Sequence, residues 1–222
     1  MAFKDWLNQK LDSATLVERI NATDSRSHSR FYHRFFAGYT EARQLKADGR
    51  GYTISRVYTG RYYRRKLTKT GTAVYKTLYA LLFLAAAAAF CFGALSRVEA
   101  NAAWYAALAE ALSVVPVAWW GVSAFNYVLS PEKMTVYEYK SSSVSLKRSS
   151  AAAAITLTLA ALAFAAHILV YAQTDDGRSV LCAAGFLGGA LCAFTANRTE
   201  RRLKYDKFAS EMSGKVYGTE IR

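Results

Sequence analysis

The sequence predicts an all-α integral membrane protein: four transmembrane helices in a bundle, both termini cytoplasmic, with an N-terminal cytoplasmic helical region ahead of them. Three observations predict this. The 222 residues are 53% hydrophobic and only 20% charged, against about 25% charged in average globular chains. The apolar residues are not interspersed with the charged ones but gathered into four long blocks. The basic residues are just as segregated, and they give the chain a formal net charge of +13.

Roughly 18 apolar residues are needed to cross a hydrocarbon core of about 30 Å as a helix. Four blocks meet or approach this, at about 72–95, 102–129, 150–171 and 180–196. The last is the shortest, and flanking Arg178 and Arg198 allow such a span to adjust. Three regions follow: a cytoplasmic stretch 1–71, a transmembrane domain 72–196 and a basic tail 197–222. Cytoplasmic segments collect Lys and Arg. Residues 1–71, the connection 130–148 and the tail together hold 26 basic residues, and the other two connections hold only Arg97 and Arg178. Both termini are therefore expected inside a plasma (inner) membrane, with Lys76 snorkelling to the same face. Residues 1–20 lack the apolar stretch of a secretory signal, so the first span is expected to serve as the anchor.

In the cytoplasmic region, Phe3, Trp6, Leu7, Leu11, Ala14, Val17 and Ile20 recur at helical spacing and predict an amphipathic helix. Its apolar face either packs on the bundle or lies in the membrane plane. A second helix is expected from Asp24 or Ser25 to about Ala47, broken by Gly49 and Gly51. The following run is dense in Tyr and Arg, and includes Arg61, Tyr62, Tyr63, Arg64, Arg65 and Lys66. Rings and cations interleaved this way bind nucleic acid in some proteins. Directly before a span, they are better explained as an interfacial anchor for anionic headgroups, with no nucleic acid involved. Between spans two and three, Thr135 and Glu138 fit a capping box, so a helix is expected to run from there into the third span. Tyr-containing basic segments, Tyr62–Lys66 and Tyr137–Lys140, thus precede both helical hairpins, as a tandem repeat would have them.

Within the spans, Glu110 is an acidic residue, and an intramembrane carboxylate is a candidate for a proton or cation path. If the span starts near Ala102, Glu110 lies roughly 12 Å below the outer surface. Residues 111–129 are already long enough to span, which instead leaves Glu110 at the interface. Pro116 removes a helix hydrogen bond, and Trp119, Trp120 and Asn126 follow on the same helix. Together with Glu110 they make the second span the expected lining of any cavity. Gly185, Gly188 and Gly189 allow close helix packing on the fourth span, within the bundle or between protomers. Cys91, Cys182 and Cys192 all lie in spans; the first two are near the outer ends, at depths compatible with a bridge. His28, His33 and His167 lack the neighbours of a metal site, and no phosphate loop or catalytic motif occurs. No enzyme activity, metal or cofactor is expected. The composition instead points to a non-catalytic scaffold or accessory subunit that docks on anionic lipid and on a protein partner or a second copy. The alternative is a small transporter or channel using Glu110 and the Pro116-kinked helix.

Overall fold

The computed structural model describes residues 39–45, 52–171 and 177–209. The expected helix over 3–20 and the first part of that over 25–47 lie outside these residues. Described strands β1 (Tyr39–Leu45), β2 (Tyr52–Tyr58) and β3 (Arg61–Arg65) lead into helix α1 (Lys69–Leu95), a single turn α2 (Glu99–Ala102) and α3 (Trp104–Leu129). A two-residue strand β4 (Lys133–Met134) follows, then α4 (Val136–Tyr139), one π-helical turn (Lys140–Val144), α5 (Ser145–Val170), α6 (Arg178–Arg202) and strand β5 (Tyr205–Ala209). The chain divides into two units. Among the described residues, the smaller holds 39–45, 52–63, 135–137 and 207–209, and the larger holds 64–134, 138–171 and 177–206.

The strands correct the expected all-α class and the helix expected through Ala47. The stretch YTISRVYTGRYYRR is rich in β-branched and aromatic residues, which favour a pleated surface over a helix. Strand β1 pairs antiparallel with β2, from Tyr39 opposite Tyr58 to Leu45 opposite Tyr52, and β3 lies between β4 and β5 in a second sheet. Rings of the smaller unit pack on one another: Tyr39 on Tyr58 at 5.0 Å, Tyr58 on Tyr62 at 4.8 Å and Tyr62 on Phe208 at 5.8 Å. Tyr58 Oη donates to the Arg61 carbonyl at 2.7 Å and accepts from Val136 N at 3.0 Å. A strand precedes the first hairpin and a helix with a π turn precedes the second, so the flanks of the expected repeat differ.

The chain is mostly helical, and four helices are long and apolar enough to cross a membrane: α1, α3, the continuous run Val136–Val170, and α6. Their ends are set by local chemistry. Thr68 Oγ1 caps α1 by accepting from Gly71 N at 3.1 Å. Asn101 Nδ2 donates to the carbonyls of Gly93 and Ser96 at 3.1 and 2.6 Å, occupying acceptors that a helix C-terminus leaves open. The run into α5 begins at Val136, directly after Thr135, where the capping box was expected. Gly177 precedes α6 at φ +77°, a conformation most readily adopted by glycine. Arg201 and Arg202 occupy the last turn of α6, where cations complement the helix dipole.

Packing within the larger unit follows a seven-residue rhythm. The buried positions on α6 include Ser179, Cys182, Phe186, Gly189, Ala193, Ala196 and Glu200; on α5 they include Leu146, Ser150, Ala153, Leu157, Ala160, Phe164 and His167; on α1 they are Tyr79, Ala86 and Gly93. Alternating steps of three and four are the seam of left-handed helix packing. Apart from Leu146 and Leu157, the residues on this seam are small, aromatic or polar. Most other large aliphatic side chains point the other way: Leu84, Val115, Ile155, Leu162 and Leu191 are all exposed. An apolar exterior of this extent suits a hydrocarbon solvent, where close helix approach rather than hydrophobicity drives association.

Gly185 and Gly189 illustrate that approach. A Cβ at Gly185 would stand 3.4 Å from the Ala89 carbonyl oxygen, and one at Gly189 3.6 Å from that of Ala86, so this glycine pair faces α1 of the same chain. Gly188 faces open space. Cys91, Cys182 and Cys192 are all free thiols.

Candidate functional site

The side-chain cluster with the most chemistry lies at the end of the helices where residues 65, 130, 143 and 200 meet, and its centre is Glu200. This carboxylate is fully buried. It continues the α6 seam by one further step of four after Ala196, so the same periodicity that buries alanines buries it. An isolated buried charge costs several kcal/mol, and here hydroxyls offset that cost. Tyr79 Oη of α1 donates to Oε2 at 3.0 Å, and Tyr205 Oη of β5 donates to Oε1 at 2.6 Å. Ser143 Oγ also donates to Oε1. Ser143 belongs to the π turn, a widened helical turn of the kind often found at functional sites.

Arg65 belongs to the same end. Strand alternation exposes Arg64, which pairs with Glu132, and turns Arg65 inward to 4% exposure. Its guanidinium carbon lies 4.1 Å from the centroid of the Tyr127 ring, a cation–π contact strengthened by desolvation. Nη2 donates to Ser130 Oγ at 2.5 Å and reaches Met134 Sδ at 3.7 Å. Its Nε and Nη1, and the Tyr127 hydroxyl, are buried with no hydrogen-bond partner among the described residues. Lys76 Nζ donates to the Ser130 carbonyl at 2.7 Å, so the lysine expected to snorkel bonds to backbone. Tyr127 in turn packs edge-on against Tyr79 at 4.8 Å, which links the arginine to the carboxylate cluster.

Burial pushes the Tyr205 phenol well above its ordinary range; the adjacent Glu200 carboxylate adds to this, while Ser143 and Arg65 oppose it. The neutral phenol is thus the favoured form in the fold. An unfolded tyrosine ionises near pH 10, so the stability tied to this proton is complete below about pH 10 and falls as the pH rises beyond it. Unfolding followed between pH 8 and 11 will show alkaline destabilisation, with a weaker slope in Tyr205→Phe. Equal slopes would mean that Tyr205 is not held neutral by the fold. Chemically, the cluster presents a carboxylate accepting from three hydroxyls and a shielded guanidinium. That is a clamp joining β3, α1, α3, the π turn, α6 and β5 rather than a set of reacting groups.

The residues singled out from sequence are more scattered. Arg61, Arg64 and Lys66 are exposed, Tyr62 and Tyr63 are half-buried among rings and strands, and Arg65 is buried; the run does not present one uniform face. The expected cavity lining on the second span is not assembled. Trp119 is 44% exposed and donates from Nε1 to Ser145 Oγ at 3.2 Å. Trp120 is fully buried, edge-on to Phe83 at 5.6 Å, and its Nε1 has no partner among the described residues. Asn126 is half-buried, and α3 runs unbroken through Pro116. A hollow of about 250 Å³ beside α3 is lined by Tyr105, Leu108, Ala109, Leu112, Thr156 and Leu159, which includes none of these residues. His167 Nδ1 lies 2.8 Å from Tyr105 Oη, an interhelical hydrogen bond. Among the described residues no group of His, Cys, Asp and Glu is placed to hold a metal ion.

Sequence reasoning missed Glu200, Tyr79, Ser143 and Tyr205. The signal was the α6 rhythm itself: continuing the 182, 186, 189, 193, 196 series lands on residue 200. Comparison of the chain with known protein families, with curated proteins and with solved structures finds no significant match.

Proposed function

We propose that this chain is a four-helix-bundle protein of the plasma membrane with both termini cytoplasmic, acting as a non-catalytic scaffold or accessory subunit. In this reading its basic end docks on anionic lipid and on a protein partner. The observation that carries the reading is the division of polar and apolar groups along the helices. The middle of the seam is closed by Ala86, Leu157, Phe186 and Ala190, all buried. The Glu200 and Arg65 cluster lies at one end and the Tyr105–His167 pair at the other. A transport path needs polar groups that continue past the middle, and this layer supplies none. The transporter reading retains one specific observation, the unpartnered Glu110 Oε1.

Docking on anionic lipid falls to the exposed cations Arg61, Lys66 and Lys69. Each Lys or Arg near an anionic surface contributes about 1 kcal/mol. Replacing all three with Gln should weaken retention of anionic lipid on the order of 100-fold. Native mass spectrometry of the protein released gently from its own membrane, with lipids and partners retained, measures this directly. The reading expects a stoichiometric second protein on the wild type and depleted anionic lipid on the triple variant. Recovery of the wild type without a second protein, or equal lipid retention by both, would defeat it.

A further inference from the structure

Glu110 is the acidic side chain that the fold leaves unanswered. It lies on α3, six residues beyond Trp104, so about 9 Å along the helix from its start. Its Oε1 is buried with no hydrogen-bond partner among the described residues. Gly121 shows which side of α3 it occupies. The Phe83 ring of α1 lies 2.6 Å from where a Gly121 Cβ would stand, and Glu110 is eleven residues, close to three full turns, from Gly121 on that same side. Glu110 therefore faces the seam between α1 and α3, where helix contacts are sparsest among the neighbouring pairs.

Among the described residues, nothing at that level of the seam hydrogen-bonds the buried carboxylate oxygen. The outer part of α1, LAAAAAFCFGAL, has no donor beyond the weak thiol of Cys91, which is exposed. Asn101 on the connecting turn gives its amide hydrogens to Gly93 and Ser96, and its Oδ1 is a second buried acceptor without a partner among the described residues. His167 is engaged with Tyr105. A second copy of this chain would not supply a cation from within a span either: residues 98–129 contain no Lys or Arg, and neither do 77–96, 149–170 or 179–197, while Arg97 and Arg178 sit at the helix ends outside these stretches. It would bring another carboxylate to the same depth.

We infer that the α1–α3 seam docks a transmembrane helix of a different protein, one carrying a Lys or Arg in the outer third of its span that pairs with Glu110. Intramembrane ionisable groups are characteristically paired, and the missing charge is positive. The inference rests on the accessory-subunit reading and adds the chemistry of the partner.

The test places a photo-cross-linking amino acid at Val114, which is exposed one turn below Glu110, in the full-length protein in its native membrane. The cross-linked protein should carry a Lys or Arg within a span, and the yield should fall at least about tenfold in Glu110→Gln. Glu110→Lys should lose the partner too, and reversing the partner's cation to Glu should restore it. Melting temperatures of both variants in detergent verify that the fold persists. An undiminished yield in Glu110→Gln, or cross-linking to a second copy, overturns the charge pairing. If no cross-link forms but native mass spectrometry still finds a stoichiometric partner, the inference fails and the accessory reading stands. If neither method finds a partner, both fail.

Discussion

Replacing Glu200 with Ala will remove roughly 3 to 5 kcal/mol of folding stability, the largest single-residue effect expected in this chain. The carboxylate is the common acceptor for Tyr79, Ser143 and Tyr205. Without it, three hydroxyls lose their acceptor together, those of Tyr79 and Ser143 fully buried and that of Tyr205 partly so; each loss costs about 1–3 kcal/mol where the group is desolvated, though less than additively because they share one site. Glu200→Gln keeps one oxygen acceptor and the side-chain volume, so it should fall between Ala and wild type. Denaturation in mixed detergent, read as the shift in midpoint, measures all three. A loss below about 1 kcal/mol in Glu200→Ala would mean that the hydroxyls find other partners and that the cluster does not fix this end of the helices.

Gly93→Ala should destabilise by about 1–3 kcal/mol through overpacking, although alanine is the better helix former. A Cβ there would stand 2.5 Å from Phe186 Cζ. Phe186 is itself fully buried, with its ring 5.1 Å from Phe164 and 6.1 Å from Phe90, so it cannot swing aside without disturbing both. Phe186→Leu should relieve the clash, and the double variant should be more stable than the sum of the single losses implies. Additive losses in that cycle would mean that the two residues are not in contact. Gly188→Ala serves as the control. Nothing lies within 4 Å of its Cβ position, so its effect should be near zero or slightly stabilising.

Much of the membrane architecture was legible because a span announces itself through length and composition alone. The blocks at 72–95 and 102–129 fall within two or three residues of α1 and α3, the third starts inside a longer helix and overruns its end by one residue, and the fourth lies inside a longer helix. What blurred the latter ends is specific. Residues 145–149 and 197–202 carry Lys147, Arg148, Arg198, Arg201 and Arg202, so hydropathy stops where the helix continues. The expected helix through Ala47 failed because aromatic spacing in 31–45 was weighed above β-propensity in 52–65, and the strand partner of 39–45 lies outside the window in which helical periodicity is read.

The cluster around Glu200 was illegible for a different reason. In a soluble helix the buried face is the apolar one, and hydropathy marks it. In a helix solvated by hydrocarbon the aliphatic face points outward, and the buried seam is built from glycine, alanine, serine and aromatic residues, so the hydropathy pattern does not say which side is inside. The sequence by itself determined that four helices are long and apolar enough to cross a membrane, and that basic residues cluster on alternate connections. Only the tertiary structure decided which side of each helix meets its neighbours. It thereby placed Gly185 and Gly189 on α1, buried Arg65 on Tyr127, gathered three hydroxyls on Glu200 and left Glu110 unanswered. Burial in this protein depends on how closely backbones approach across long chain separations, such as the 121 residues between Tyr79 and Glu200, and no local window of sequence contains that information.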